Sequence, residues 1–359
     1  MRIALIGLAN SGKTTVFNAL TGSTIETAAY SSGQIEPNLA LVKVPDERLD
    51  VLTQMYTPRK TTYADVQYVD VAGISSDTPG QGLPPALLNY ISTADALLHV
   101  VRAFSDETVP HPAGTVDAAR DVATLDLELA FSDLGIIERR LTRLQAEINK
   151  MAARDRELRL AERDLLERLQ AALENDTPIR NVAISEDEAR MIRGYQFLTA
   201  KPMLIVINID EGQLNDPPPI NYPHQQSAVV ALAGQIEAEL AQLEPADAQA
   251  FMDDLGIQQP ARNRVISLSY DLLGLISFLT AGPDEVRAWT IRRNTPAVEA
   301  AGAIHSDLQR GFIRAEVVAY TDLIRAGSMN EAKKQGVVRS EGKQYIVQDG
   351  DICHFLHNT

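Results

Sequence analysis

Residues 2–20 read RIALIGLANSGKTTVFNAL, and this stretch decides the fold. Arg2–Ile6 is a nearly continuous apolar run, the pattern of a central parallel strand covered on both faces. Gly7–Thr15 follows it directly, and Thr14–Leu20 then reads as a helix that stops at Gly22. Strand, loop and helix together give the G-x-x-x-x-G-K-[ST] match its meaning. The glycines let backbone N–H groups wrap a phosphate chain, and the helix N-terminus adds its positive end. In this reading Asn10, Ser11, Gly12, Lys13, Thr14 and Thr15 line a nucleotide's phosphates. Lys13 is the catalytic cation on the β- and γ-phosphates, and the Thr14 hydroxyl ligates Mg2+.

Such a loop needs a second magnesium-side carboxylate at the end of a neighbouring strand. TTYADVQYVDV (Thr61–Val71) supplies Asp70, and with Ala72-Gly73 it forms the D-x-x-G of the GTPase class. Leu39–Val44 reads as an edge strand leading into the sheet, and Ala96–Val101, Pro202–Ile209 and Ser227–Ala233 as its later strands. The fold class is therefore α/β, a P-loop nucleotide-binding unit on a mostly parallel sheet. After D-x-x-G, Ras-like enzymes carry a glutamine that orients the attacking water, but here the position is Ile74. An apolar side chain cannot hold water, so turnover is expected to be slow or to use another group. Asn10 has two readings: its amide oxygen coordinates a monovalent cation beside the phosphates, or it only shapes the loop. Base choice rests on Asn208-Ile209-Asp210-Glu211, which stands where guanine-selective proteins have N-K-x-D. With the lysine gone and Glu211 in the fourth position, the penalty against adenine is altered.

The whole chain has 359 residues and a formal net charge of −15, enough for two or three domains and repelled on average by phosphate backbones and anionic lipid. One cysteine, Cys353, excludes an intrachain disulfide framework and a Cys-rich zinc site, and no run reaches the ~18 apolar residues of a membrane span. A cytoplasmic protein without a membrane partner is the expectation. His354 and His357, three apart, fall on opposite faces of a strand and read as ordinary strand residues.

Taken together, the motifs resemble the YchF, or Obg-like ATPase, branch of the Obg-related P-loop proteins, over nearly the whole chain. The resemblance rests on GLANSGKTT, IEPN (Ile35–Asn38) with VPDERLD behind it, DVAG, LTAKP (Leu198–Pro202), QIEAEL (Gln235–Leu240) and FLTAGPDEVRAWTIR (Phe278–Arg292). AAGAIHSDLQRGFIRAEVV (Ala300–Val318) and EGKQYIVQDGDICHF (Glu341–Phe355) complete it, the latter resembling the family's TGS module. The resemblance implies ATP preferred over GTP, slow hydrolysis stimulated by K+, and association with ribosomes. It also implies a switch made of Gln34, Gly73 and Ile74. Gln34 departs from the family's usual threonine, Ala9 and Ser11 from its Pro and Val, and Ala233-Gly234 from a Ser/Cys-Ala pair. The loop Ser75–Pro85 lacks the family's basic residues. Two rival functions stay open: a GTP-selective ribosome-assembly GTPase, and a nucleotide-gated binding module with negligible turnover.

Four segments follow from this pass: 1–116, the first part of the nucleotide domain; 117–199, a helical insert; 200–281, its second part; and 282–359, a β-grasp-like TGS domain. In the insert, Ile137, Leu141, Leu144, Ile148 and Met151 form an a/d seam, and Leu158, Leu165, Leu169 and Ala172 continue a similar pattern. No Gly or Pro interrupts 136–177. One long helix is thus allowed, but burying both seams favours two antiparallel arms turning near Arg154–Glu157. The expected strands of the last segment are Ala288–Ile291, Arg314–Val318, Gln344–Val347 and Ile352–Leu356. Charge is uneven: 136–170 carries nine cations against seven carboxylates, 282–359 balances to zero, and the remainder therefore holds −17. The Arg-dense tip Arg154–Arg163 reads either as a solvated face with internal i,i+4 pairs or as a contact for RNA or an acidic protein. Arg310, Arg314, Lys333 and Lys334 are further candidates for RNA.

Overall fold

A computed structural model describes residues 1–25, 37–71, 83–152 and 156–358, in two compact units. The first comprises 1–40 and 67–272, the second 41–66 and 273–359. In chain order the elements are β1 (Arg2–Ile6), α1 (Lys13–Thr21), β2 (Asn38–Lys43), α2 (Glu47–Tyr56), β3 (Lys60–Thr62), β4 (Asp65–Asp70), α3 (Pro85–Ile91) and β5 (Ala96–Arg102). The insert holds α4 (Ala118–Ile148), α5 (Arg156–Glu174) and α6 (Glu186–Ile192). Next come β6 (Met203–Asn208), β7 (Ser227–Leu232), α7 (Gly234–Leu240), α8 (Pro245–Leu255) and α9 (Ala261–Leu272). The last part contains β8 (Leu275–Ala281), β9 (Glu285–Arg292), α10 (Ala297–Ile304), α11 (Ser306–Arg310) and β10 (Phe312–Ala319). It closes with α12 (Tyr320–Ala326), α13 (Met329–Lys334), β11 (Arg339–Glu341) and β12 (Asp351–His357).

The first sheet runs β2-β4-β1-β5-β6-β7, and β4, β1, β5, β6 and β7 pair in parallel. Its central strands are the continuous apolar runs of the sequence, and β5 and β6 are buried along their whole length. One face packs Ile6, Leu97, Ile205 and Ile207 against Ile91, Leu125, Ile236 and Leu240 of α3, α4 and α7. Register sets Leu5 beside Asp70 and Arg102 beside Asn208, so the motif residues gather at the carboxyl ends of neighbouring strands.

Helix α4 serves two cores. Asp117 caps its N-terminus by accepting from the Arg120 N–H, and Val122, Leu125 and Leu129 pack on the sheet. Its distal half instead buries Ile137, Leu144 and Ile148 against Leu165, Leu166, Leu169 and Leu173 of α5. The hairpin therefore wins over a single long helix, because each leucine stripe finds its cover in the other. The turn begins at Asn149, ahead of the Arg154–Glu157 expected. The second stripe also differs: Leu158 is 64% exposed, and Leu173 rather than Ala172 continues the seam.

The second unit holds a mixed sheet, β11-β10-β12-β8-β9-β3. Its boundary falls ahead of the expected 282, because Leu275–Ala281 pairs antiparallel with β9 from Leu275↔Arg292 to Ala281↔Val286. Residues 41–66 also cluster here, with Lys60–Thr62 adding an edge strand parallel to β9. Gln344–Val347 is not a strand: it makes one bridge, Pro296↔Ile346, and Arg339–Glu341 takes the edge beside β10. Phe278, Ala300, Val317, Cys353 and Phe355 form the core. No helix among the described residues is long and apolar enough to cross a membrane.

Candidate functional site

Between β1 and α1 the chain turns through Gly7–Gly12, and two close approaches dictate glycine. A Cβ on Gly7 would lie 2.5 Å from the Val100 carbonyl oxygen, and one on Gly12 (φ 84°) 2.2 Å from Asn208 Nδ2. Asn10 takes a left-handed φ of 62°, and its Nδ2 donates to Pro110 O at 2.9 Å, tying the loop to the segment that leaves β5. That segment is organised by Arg102, whose guanidinium donates to Val109 O (2.9 Å) and Asp106 O (3.0 Å) and lies over the Phe104 ring. Beyond it, His111 Nε2 meets Asp121 Oδ2 at 2.8 Å.

Lys13 opens α1 and is 7% exposed. Its ammonium folds back onto the loop, donating to Leu8 O (2.8 Å) and Gly7 O (3.2 Å). Burial lowers its pKa to about 8, against the pull of Asp70. Thr14 Oγ1 donates to Asp70 Oδ2 at 3.1 Å, while Asp70 Oδ1 is buried without a partner. Burial raises the Asp70 pKa, opposed by the Thr14 hydroxyl, by Lys13 and by the Asn38 side chain. Ser11 Oγ is likewise buried and unpartnered. The donor set suits a magnesium ion: a hydroxyl and a carboxylate side by side, with one carboxylate oxygen still unspent.

The loops after β6 and β7 close the other side. Asn208 is buried, and its amide bridges two of them: Nδ2 donates to Ser11 O (3.1 Å), and Oδ1 accepts from the Gly234 N–H (3.1 Å). Asn208 therefore ties the phosphate loop to the loop after β7. Ile209 is buried in the core, while Glu211 is exposed at the start of a short 3-10 turn. Thr15 is half-buried in the first turn of α1. Gln34, Gly73 and Ile74 lie outside the described residues.

The structure thus brings Asn10 through Thr15, Asp70 and Asn208 together. It adds His99, which sequence reasoning passed over. His99 is 1% exposed on β5, its Nε2 has no partner, and burial with the nearby Lys13 charge lowers its pKa to about 3. The available signal was a histidine inside a fully apolar strand, ALLHVVR, closed by an arginine.

A family model described as a 50S ribosome-binding GTPase matches residues 2–160. The model for the C-terminal domain of YchF GTPases, described as a protein of unknown function, matches 275–358. The Ribosome-binding ATPase YchF of Bacillus subtilis (strain 168) is 42% identical over 364 residues, covering 99% of this chain and 98% of its own. Obg-like ATPase 1 of Oryza sativa subsp. japonica is 35% identical, covering 100% of this chain and 92% of its own. Among solved structures, the YchF GTPase of Schizosaccharomyces pombe superposes with a TM-score of 0.84 at 30% identity, covering 99% of this chain and 97% of that one.

Proposed function

The chain belongs to the YchF family, and from that premise we propose that it binds ATP with Mg2+, hydrolyses it slowly and uses the bound state to alter contacts with the ribosome. The observation that carries this reading is the cluster of Lys13, Thr14 and Asp70 at the N-terminus of α1, with buried acceptors left unspent. Lys13 would exchange its carbonyl partners for phosphate oxygens, neutralising charge that grows in the transition state. The first N–H groups of α1 would hold the phosphate chain. Thr14 and Asp70 would hold Mg2+, which supplies electrostatic stabilisation of the transferring phosphoryl group. The Asn10 amide nitrogen is engaged by Pro110, which leaves its oxygen for K+.

Slow turnover is expected from Ile74, and tolerance of adenine from Ile209 and Glu211 in place of Lys and Asp. The relatives named Ribosome-binding ATPase supply the partner. Phosphate release from ATP and GTP, with and without K+ and ribosomes, tests the whole reading, with Lys13→Ala as control. Release from ATP about 100-fold above the control is expected. Binding without release above that control would make the chain a nucleotide-gated binder, and tighter binding of GTP than ATP would overturn the base assignment.

A further inference from the structure

The two helices of the insert spend their cations differently. On α5, Arg159 pairs with Glu162 (2.9 Å), Arg163 with Asp164 (2.7 Å) and Arg168 with Glu188 (2.9 Å), while Arg156 Nε donates to Met151 O. Arg140 of α4 reaches into the same network, at 2.8 Å from Glu162 and 3.0 Å from Glu147. By contrast Arg139, Arg143 and Lys150 are exposed and have no ion pair or hydrogen bond from their side chains among the described residues. Arg139 and Arg143 stand about 40° apart on successive turns of α4, and Lys150 follows in the turn just beyond the helix end at Ile148. Gly135 and Ala146 continue the same stripe, so small side chains flank the cations. The nearest unpaired carboxylate, Glu138, sits about 100° around the helix.

We propose that this outer face of the arm, Arg139 and Arg143 of α4 with Lys150 in the turn after it, is a docking surface for the phosphate backbone of RNA. In a chain of net charge −15, three adjacent cations left without internal partners are electrostatic complement to a polyanion. A protein partner fits less well, because interface cores are built from apolar and aromatic anchors, and this stripe has no exposed large apolar side chain. Three point contacts with phosphates fix position and carry no base sequence. The assignment deepens the ribosome contact proposed above by naming the RNA backbone as the chemistry the arm meets, and it moves that contact from the Arg-dense tip to the α4 face.

The test uses the full chain, a short labelled RNA duplex and purified ribosomes, titrated over a range of salt. The triple variant R139Q/R143Q/K150Q is expected to bind the duplex about tenfold more weakly and to flatten the plot of log affinity against log salt by about one unit per lost contact. R163Q/R168Q, which removes two charges from paired positions, should bind as wild type, and R139K/R143K should restore affinity, separating charge from folding. Hydrolysis of ATP should be the same in all four proteins. Unchanged RNA affinity and slope in the triple variant overturns the proposal, as does equal loss in R163Q/R168Q. Lost ribosome binding with intact duplex binding overturns it in favour of an acidic protein contact. Wild type that fails to hydrolyse ATP or to sediment with ribosomes would refute the proposed function, while the duplex titration still decides the stripe.

Discussion

Glu162 in the helical arm and Asp70 in the nucleotide site are both carboxylates inside the protein, 5% and 6% exposed. Their surroundings treat them in opposite ways. Glu162 receives Arg140 through both Nε (2.8 Å) and Nη2 (2.9 Å), Arg159 Nη1 (2.9 Å) and the Tyr195 hydroxyl. Burial pushes its pKa up, but these donors outweigh it and hold the group at about 2. Asp70 has one oxygen on Thr14 and only a weak approach from Asn38 besides, and burial wins. Ser11 Oγ and His99 Nε2, near Lys13, are also unspent. A buried charge that the chain satisfies by itself is architecture, whereas one left half-satisfied stores a cost that a bound ligand relieves.

The contrast is sharpest if each carboxylate is removed. Glu162→Ala leaves the half-buried Arg140 without its main partner and should destabilise the fold by about 2–3 kcal/mol in urea unfolding, with ATP hydrolysis unchanged. A loss below about 1 kcal/mol would place Glu162 with surface pairs instead. Asp70→Asn should do the reverse. Phosphate release should fall about 10²- to 10³-fold, while the nucleotide-free protein becomes about 1 kcal/mol more stable, because a buried charge with an unfilled acceptor is gone. Equal losses in rate and stability would show that Asp70 is a structural residue.

Asp133 lies between these cases. It is fully buried at the root of the arm and accepts from Leu198 N, Thr199 N and Thr199 Oγ1, at 2.9, 2.8 and 2.7 Å, with no ion pair among the described residues. Burial pushes its pKa up to about 6 despite these donors. The native state thus holds the proton more tightly than the unfolded chain. The group's stabilising contribution is complete below the unfolded value near 4 and is lost as pH rises through about 6, a difference of up to about 3 kcal/mol. Urea unfolding of wild type and Asp133→Asn across that window should differ in slope with this sign. Parallel profiles would mean that hydrogen bonds alone match the cation's effect on Glu162.

Much of this was legible in the chain. The apolar runs of β1, β5 and β6 announced buried parallel strands, the phosphate loop announced its own context, and Asp70 could be placed at a strand end because the motif requires a carboxylate there. The seam residues of α4 were readable from their spacing. What misled was pattern without a partner. Gln344–Val347 has a strand's composition, yet β10 has only one free edge, and Arg339–Glu341 occupies it. Leu158 continues a leucine stripe in sequence but stands beyond the reach of α4's apolar face. His99 was invisible because only the fold says what lies beside it, and the structural ties of Asn208 were invisible because its two hydrogen bonds reach residues 197 and 26 positions away.

Which residues can bind phosphate, which helices carry apolar seams and the total charge of −15 could all be read before any fold was known. These are local properties, set by residue type and spacing. Which of the remaining charges are neutralised was settled by how the two helices of the arm pack. Arg159 and Arg163 looked in sequence much like Arg139 and Arg143, and all four sit on exposed or half-exposed helix positions. The first pair folds against carboxylates of its own helix, Glu162, Asp164 and Glu167, and the second makes no such pair, because Glu147, four residues beyond Arg143, is drawn instead to Arg140 and, across the hairpin, to Arg159. Charge composition is a sum over residues, while the field a partner meets depends on distances of a few ångströms that the packing of one helix on another sets.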